Sequence, residues 1–357
     1  MATVSLSPNG MDRYARGGPP DRLLVGTMDG VADLRKAPSG WVVQARSLPG
    51  VHISALLYDT ARDETYAGSH GDGMFLRRGD QAWAPISTGL EHRNVFTLAR
   101  NDRGTLFVGT EPAHLYHSID RGAVWAELTA LRDVPGVDQW NFPAPPHVAH
   151  VKHVDFDPRN EKIMYVSIEQ GALLKSTDGG RTFRELTFQD ESYALNKDVH
   201  RVVINPQNPD ELFLPGGDGI AHSTDAGETW EHLTTPQMRV GYPDATFVAP
   251  DGALYTTGGG TPPNVWRQTG DAASTVARSR DGGKTWEDLA LPHLRGNIEA
   301  ATLVTWSGGY GFLAGTTDGE VFASMDQGQT WEQIASGLAP VSKCIHHRNL
   351  QMGRGAA

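Results

Sequence analysis

Apolar residues along this chain fall in short runs, each closed by a turn signal, and the runs come in sets of four. NVFTLARND, GTLFVGT, HLYHS and AVWAELTA (94–130) read as four short strands. HVDFDP, KIMYVS, ALLKS and TFRELTF (153–188) repeat the order, as do RVVINP, ELFLP, IAHS and TWEHLTT (201–235). HISALLYD, ETYAGS, MFLRR and AWAPIS (52–87) form another set. The N-terminal set has three runs only, RLLVGT, VADLR and WVVQAR, so its first strand is missing.

An octapeptide marks the third turn of most sets: SIDRGAVW at 118, STDGGRTF at 176, STDAGETW at 223, SRDGGKTW at 279 and SMDQGQTW at 324. Spacings of 58, 47, 56 and 45 residues, from those start positions, suit a four-stranded propeller blade with insertions. The expectation is an all-β, seven-bladed β-propeller. The segment VSKCIHH (341–347) would supply the missing strand and close the ring, which removes exposed sheet edges. The expected domains are a flexible segment over 1–20, one propeller over 21–350 and a flexible tail over 351–357.

The octapeptide has a structural reason. Ser and Asp side chains accept hydrogen bonds from turn N–H groups, Gly permits positive φ, and the closing aromatic wedges between sheets. Asp120, Asp178, Asp225, Asp281 and Asp326 are therefore read as turn clamps. The pattern S-x-D-x-G-x-T-W resembles the Asp-box, or BNR repeat, of sialidase-like propellers, a group with glycosyl hydrolase-like members and photosystem assembly factors. The resemblance implies that the boxes lie on the face opposite the ligand site. It does not extend to a sialidase active site, because the Phe/Tyr-Arg-Ile-Pro motif is missing and the nearest stretch reads ARGGPPDRLL.

Composition narrows the function classes. A formal net charge of −11 argues against nucleic acid and against an anionic membrane surface as partners. One cysteine, Cys344, excludes an internal disulfide framework and a cysteine-based zinc cluster. Without a secretory h-region near the start, a cytoplasmic location is expected. The P-loop, GxSxG and HExxH patterns are absent, and no nucleotide cofactor is expected.

Candidate chemistry gathers on one face. Long insertions at 133–150, 188–200 and 258–277 all fall at entries to first strands or between second and third strands. His52, His150 and His200 sit at starts of first strands, which line a propeller's channel, and three imidazoles suit a divalent transition metal. His200, Asp244, Glu299 and Tyr242 are the candidate acid/base groups; Arg93, Trp266, Arg267 and Tyr193 are the candidate substrate contacts. Asp-Gly pairs after second strands read as turns, and Glu169, His114 and His70 stand out by breaking that pattern. The function expected is a hydrolase or lyase acting on a small polar molecule or sugar derivative at the channel mouth. The alternative is a non-catalytic assembly scaffold with a protein partner, or a glycan-binding propeller.

Overall fold

The computed structural model describes residues 2–186, 197–234 and 237–343. Seven sheets follow one another in chain order, six of four strands and one of five, as a seven-bladed β-propeller. The inner strands of blades 2 to 7 are Ile53–Asp59, Asn94–Arg100, His150–Phe156, Val203–Ile204, Tyr242–Val248 and Ile298–Trp306. Among the described residues no helix is long and apolar enough to cross a membrane.

Glycine on the second strand lets neighbouring blades approach. A Cβ on Gly26 would meet Ile53 Cγ2 at 2.9 Å, and one on Gly68 would meet Val95 Cγ1 at 2.5 Å. The same holds for Gly109 against Val151 Cβ (2.5 Å) and Gly315 against Val341 Cγ1 (2.9 Å). The sequence repeats this as VGT, AGS, VGT and AGT at the ends of second strands. Apolar residues of adjacent blades then form the core: Ala55, Leu57, Val95, Leu98 and Trp125 belong to one such layer.

The octapeptides make the expected turn clamp. In one copy Gly180 N–H donates to Ser176 Oγ at 2.9 Å, Thr182 N–H donates to Asp178 Oδ1 at 3.0 Å, and Thr182 Oγ1 donates to Asp178 Oδ2 at 2.7 Å. Those Thr182 bonds lead the effects that pull the Asp178 carboxyl down to about 2. The same bonds recur at Asp225, Asp281 and Asp326. At Asp120 the Thr is replaced by Val124, so the side-chain bond from that position is lost and its backbone N–H donates at 3.0 Å, beside the Ser118 hydroxyl at 2.7 Å.

The N-terminal residues behave differently from the flexible segment expected. Thr3–Leu6 pairs in parallel with Arg22–Thr27, and Arg13–Ala15 pairs in parallel with the inner strand of blade 7. Because those two partners run in opposite senses along the channel, residues 3–15 form a hairpin inside it. Val4, Leu6 and Tyr14 are buried. The hairpin tip bonds several inner strands: Asn9 N–H donates to Ser54 O at 3.1 Å, Met11 N–H to Leu56 O at 2.9 Å, and Leu98 N–H to Asn9 O at 3.2 Å. The inner position of blade 1 is thus shared. Pro340 O accepts from Met28 N–H at 2.8 Å near the mouth, Val341 packs on Gly315, and Thr3–Leu6 fills the rest. Residues 344–347 of the expected closing strand, and the tail 351–357, lie outside the described residues.

Candidate active site at the channel mouth

Blade symmetry brings first-strand starts to one place, and the floor there is ionic. His150 Nε2 donates to Glu169 Oε2 at 2.5 Å, and Lys152 Nζ donates to the same oxygen at 2.8 Å. Glu169 ends the second strand of blade 4, directly across from His150 in the ladder. His200 Nδ1 donates to Pro243 O at 2.6 Å. Its Nε2 faces the Tyr242 hydroxyl at 3.1 Å, Asp198 Oδ1 at 3.4 Å and Glu169 Oε1 at 3.8 Å. Tyr242 donates to Asp198 Oδ2 at 2.7 Å.

A second layer supports the first. Lys343 Nζ donates to Asp244 Oδ2 at 2.6 Å, while its backbone N–H and the Ser342 hydroxyl both donate to Glu299 Oε2 at 2.9 Å. Arg201, 1% exposed, donates to Pro8 O at 2.5 Å and to Asp12 Oδ2 at 3.0 Å, tying the N-terminal hairpin to the floor.

Above the floor opens a cavity of about 500 Å³ walled by Phe96, Phe142, Pro143, Pro145, Pro262 and Pro263. His150, Glu169, Asp198 and Tyr242 line it from below. The His150 ring stacks on Phe96 with centroids 3.6 Å apart. A small ligand could bury apolar surface against these walls while its polar atoms meet the carboxylates.

The environments push the carboxyls apart. For Glu169, burial resists ionisation, but the Lys152 charge and the hydrogen bond from His150 hold the carboxyl well below its usual range. Asp198 is also held low: burial works against ionisation, and His200 facing it with the Tyr242 hydroxyl outweighs that. Burial, with the charges of Asp198 and Glu169, raises the Tyr242 hydroxyl well above its ordinary value, so it stays a donor. Burial lowers His150 despite Glu169, which leaves a neutral imidazole. Glu111, whose Oε2 lies 3.8 Å from His150 Nδ1, is shifted the other way: burial raises it, the Asn94 hydrogen bond holds part back, and the Glu169 charge adds to the rise.

Sequence-based candidates divide accordingly. His200 and Tyr242 reach the floor together, with His150 on the other side of Glu169. Asp244 and Glu299 are buried beneath it, holding Lys343. His52 does not join His200: its Nε2 donates to Ser342 O at 2.8 Å and its ring stacks on His70. The group whose ligating atoms lie within 4.8 Å of one another is Glu169, Asp198 and His200, sharing one residue with the expected histidine trio. Trp266 is buried at 6% exposure in the short helix Pro263–Thr269, so it is no open stacking platform. Arg267 sits in that helix, Arg93 is exposed and outside the cavity lining, and Tyr193 lies outside the described residues. Glu111, Lys152, Asp198 and Lys343 were not among the sequence candidates; Glu169 had only its break in the Asp-Gly pattern to mark it.

No protein-family model matches the chain. It is similar to a xyloglucanase of a Paenibacillus species, 25% identical over 74% of this chain and 29% of that protein. A probable oligoxyloglucan-reducing end-specific xyloglucanase of Neosartorya fischeri is 24% identical over 76% of this chain and 35% of its own length. The chain thus spans about a third of the length of the curated relatives it matches. Among solved structures an ancestral GH74 enzyme superposes with a TM-score of 0.60 at 17% identity, covering 80% of this chain and 38% of that one, a likeness of fold.

Proposed function

We propose that the channel-mouth cavity is the active site of a hydrolase acting on a sugar derivative or a similar small polar molecule. The observation that carries this reading is the line Glu111, His150, Glu169, of which His150 and Glu169 line the cavity and Glu111 lies behind His150, with one carboxyl raised and the other lowered. Paired carboxyls with separated proton affinities are what acid/base hydrolysis of a glycosidic or comparable bond requires. Glu169, ionised, is the base. Glu111, protonated over a wider pH range, is the acid, and neutral His150 relays a proton between them through its two ring nitrogens. The apolar walls hold the body of the substrate, and Tyr242 and Asp198 orient its hydroxyls. Similarity to proteins named xyloglucanases supports hydrolysis over elimination and a sugar over other polar molecules. The octapeptides, read as Asp-boxes, take no part in the chemistry.

The test is turnover of aryl glycosides and xyloglucan-derived oligosaccharides by the purified protein, followed by released phenol and reducing ends. Glu169→Gln and Glu111→Gln should each lower kcat by more than about 100-fold with circular dichroism unchanged. Binding of these sugars without turnover would replace the catalytic reading with a glycan-binding module. Full activity in both variants would remove these carboxyls from the reaction.

A further inference from the structure

We infer that the channel-mouth cavity selects a neutral sugar unit joined to an apolar aglycone, and that the carboxamides of Gln170 and Asn297 read the sugar's hydroxyls. The inference deepens the proposed active site and rests on it for the place where the ligand sits; it does not depend on turnover.

The charged groups of the lining are already engaged. Glu169 accepts from Lys152 at 2.8 Å and from His150 at 2.5 Å, and Asp198 accepts from the Tyr242 hydroxyl at 2.7 Å. Lys343 is held on Asp244 at 2.6 Å, and no arginine lines the cavity among the described residues. An anionic sugar would meet no open guanidinium there. A cationic one would have to compete with donors already on both carboxylates.

The carboxamides differ. Asn297 is 3% exposed and lines the cavity. One end of its amide meets Ser274 Oγ at 3.3 Å, and the other end has no partner among the described residues. A buried amide end costs stability until a ligand or water meets it. Propeller symmetry sets its place: Asn297 directly precedes Ile298, where the blade 7 pairing bulges, as His150 precedes the bulge at Val151 in blade 4.

Gln170 lines the same cavity, and its carboxamide also has no partner among the described residues. Its backbone is left-handed, with φ 59°, in the turn after the second strand of blade 4. The turns at that place in blades 1, 2, 5 and 7 put glycine in the left-handed region, at Gly30, Gly73, Gly219 and Gly319. Glycine adopts this conformation freely and glutamine does not, so the side chain at 170 is kept at the expense of the backbone. Trp140, from the 133–150 insertion, closes on the turn: a Cβ on Gly171 would sit 3.1 Å from its Cγ.

An amide offers a donor and an acceptor side by side, which matches neighbouring hydroxyls on a neutral ring. Around these amides the walls are Phe96, Phe142 and four prolines, and the prolines have no N–H to give. The group attached to the sugar therefore gains by burying apolar surface rather than by hydrogen bonding.

The experiment is isothermal titration of the full-length protein with methyl and phenyl thioglycosides of glucose, galactose and xylose, whose sulfur linkage resists hydrolysis. Phenyl thioglucuronide and phenyl thioglucosaminide serve as the charged sugars. At least one neutral phenyl compound should bind more than about tenfold tighter than its methyl counterpart, and tighter than either charged sugar. Asn297→Ala and Gln170→Gly should each weaken that binding about fivefold. Gln170→Gly should also leave the urea midpoint unchanged or raised, because glycine relieves the left-handed backbone; a lowered midpoint would make Gln170 structural and overturn its role. Should Asn297→Ala misfold, Gln170→Gly and the wild-type panel still decide. The inference fails if no neutral phenyl compound binds, if methyl and phenyl compounds bind alike, if a charged sugar binds tighter, or if both variants bind as wild type does. The expected preferences without turnover of oxygen-linked glycosides would remove the hydrolase and leave the inference standing. Turnover of xyloglucan oligosaccharides, with methyl and phenyl compounds bound alike, would do the reverse.

Discussion

Replacing Asp12 with Ala tests whether the N-terminal hairpin is an integral part of the propeller. Asp12 Oδ2 accepts from Arg201 Nη1 at 3.0 Å, and the Arg201 side chain is 2% exposed against 14% for Asp12. Removing one partner of a buried ion pair strands the other charge and costs about 3–5 kcal/mol. The lower end applies here, because Arg201 keeps Pro8 O at 2.5 Å and lies 3.8 Å from Asp244. Asp12 also gives Arg13 a weak contact at 3.6 Å, with Arg13 half exposed, which adds little. A loss of about 3 kcal/mol is therefore expected, read as a fall in the urea midpoint at constant m-value. Arg201→Met in the Asp12→Ala background should recover much of it, since the stranded charge is then gone. If Asp12→Ala lies within about 0.5 kcal/mol of wild type, the ordinary range for surface substitutions, the hairpin does not hold Arg201 in solution and its role in the fold is wrong.

Three further outcomes follow from the same structure. Gly109→Ala puts a methyl 2.5 Å from Val151 Cβ and should cost about 2 kcal/mol by overpacking; urea unfolding checks it, and Val151→Ala in the same chain should return part of the loss. Burial works against ionisation of Asp244, yet the charges of Lys343 and Lys152 hold its folded-state carboxyl well below the usual range, so its contribution is complete above the ordinary carboxylate value and is lost as pH falls through the lower folded one. Asp244→Asn should accordingly be less stable than wild type at pH 7 and lose less stability between pH 5 and pH 3, measured by chemical unfolding at each pH; an unchanged slope would contradict the pairing. Asp225→Ala should lower the melting temperature more than Asp120→Ala, because Thr229 Oγ1 adds a bond at 2.6 Å to Asp225 whereas Val124 offers none to Asp120.

What the sequence shows and what it hides divide along a physical line. Blade number and order are legible because each clamp is local: Ser176, Asp178, Gly180 and Thr182 bond one another within seven residues. Second-strand glycines recur in four blades, at Gly26, Gly68, Gly109 and Gly315, where a side chain of the next inner strand packs close. The site is half legible for the same reason. Symmetry sends every first-strand start to the mouth, so His150, His200 and Tyr242 meet there, and Glu169 enters through its ladder pairing with His150.

Partnership across the ring is a different matter. Lys343 reaches Asp244 over 99 residues and Arg201 reaches Asp12 over 189, and no local pattern specifies either pair. His52 has the same strand position as its counterparts but meets the C-terminal carbonyl of Ser342 instead of the floor, because ring closure places that segment beside blade 2. The symmetry that makes the blades readable breaks where the chain ends meet, at the hairpin of residues 3–15 and at Pro340–Lys343. Those segments supply Arg201's partners and the Lys343 ammonium, and so they set the charge of the floor. The repeated part of the chain builds a channel, and its unrepeated ends give the pocket at one mouth of that channel its ionic floor.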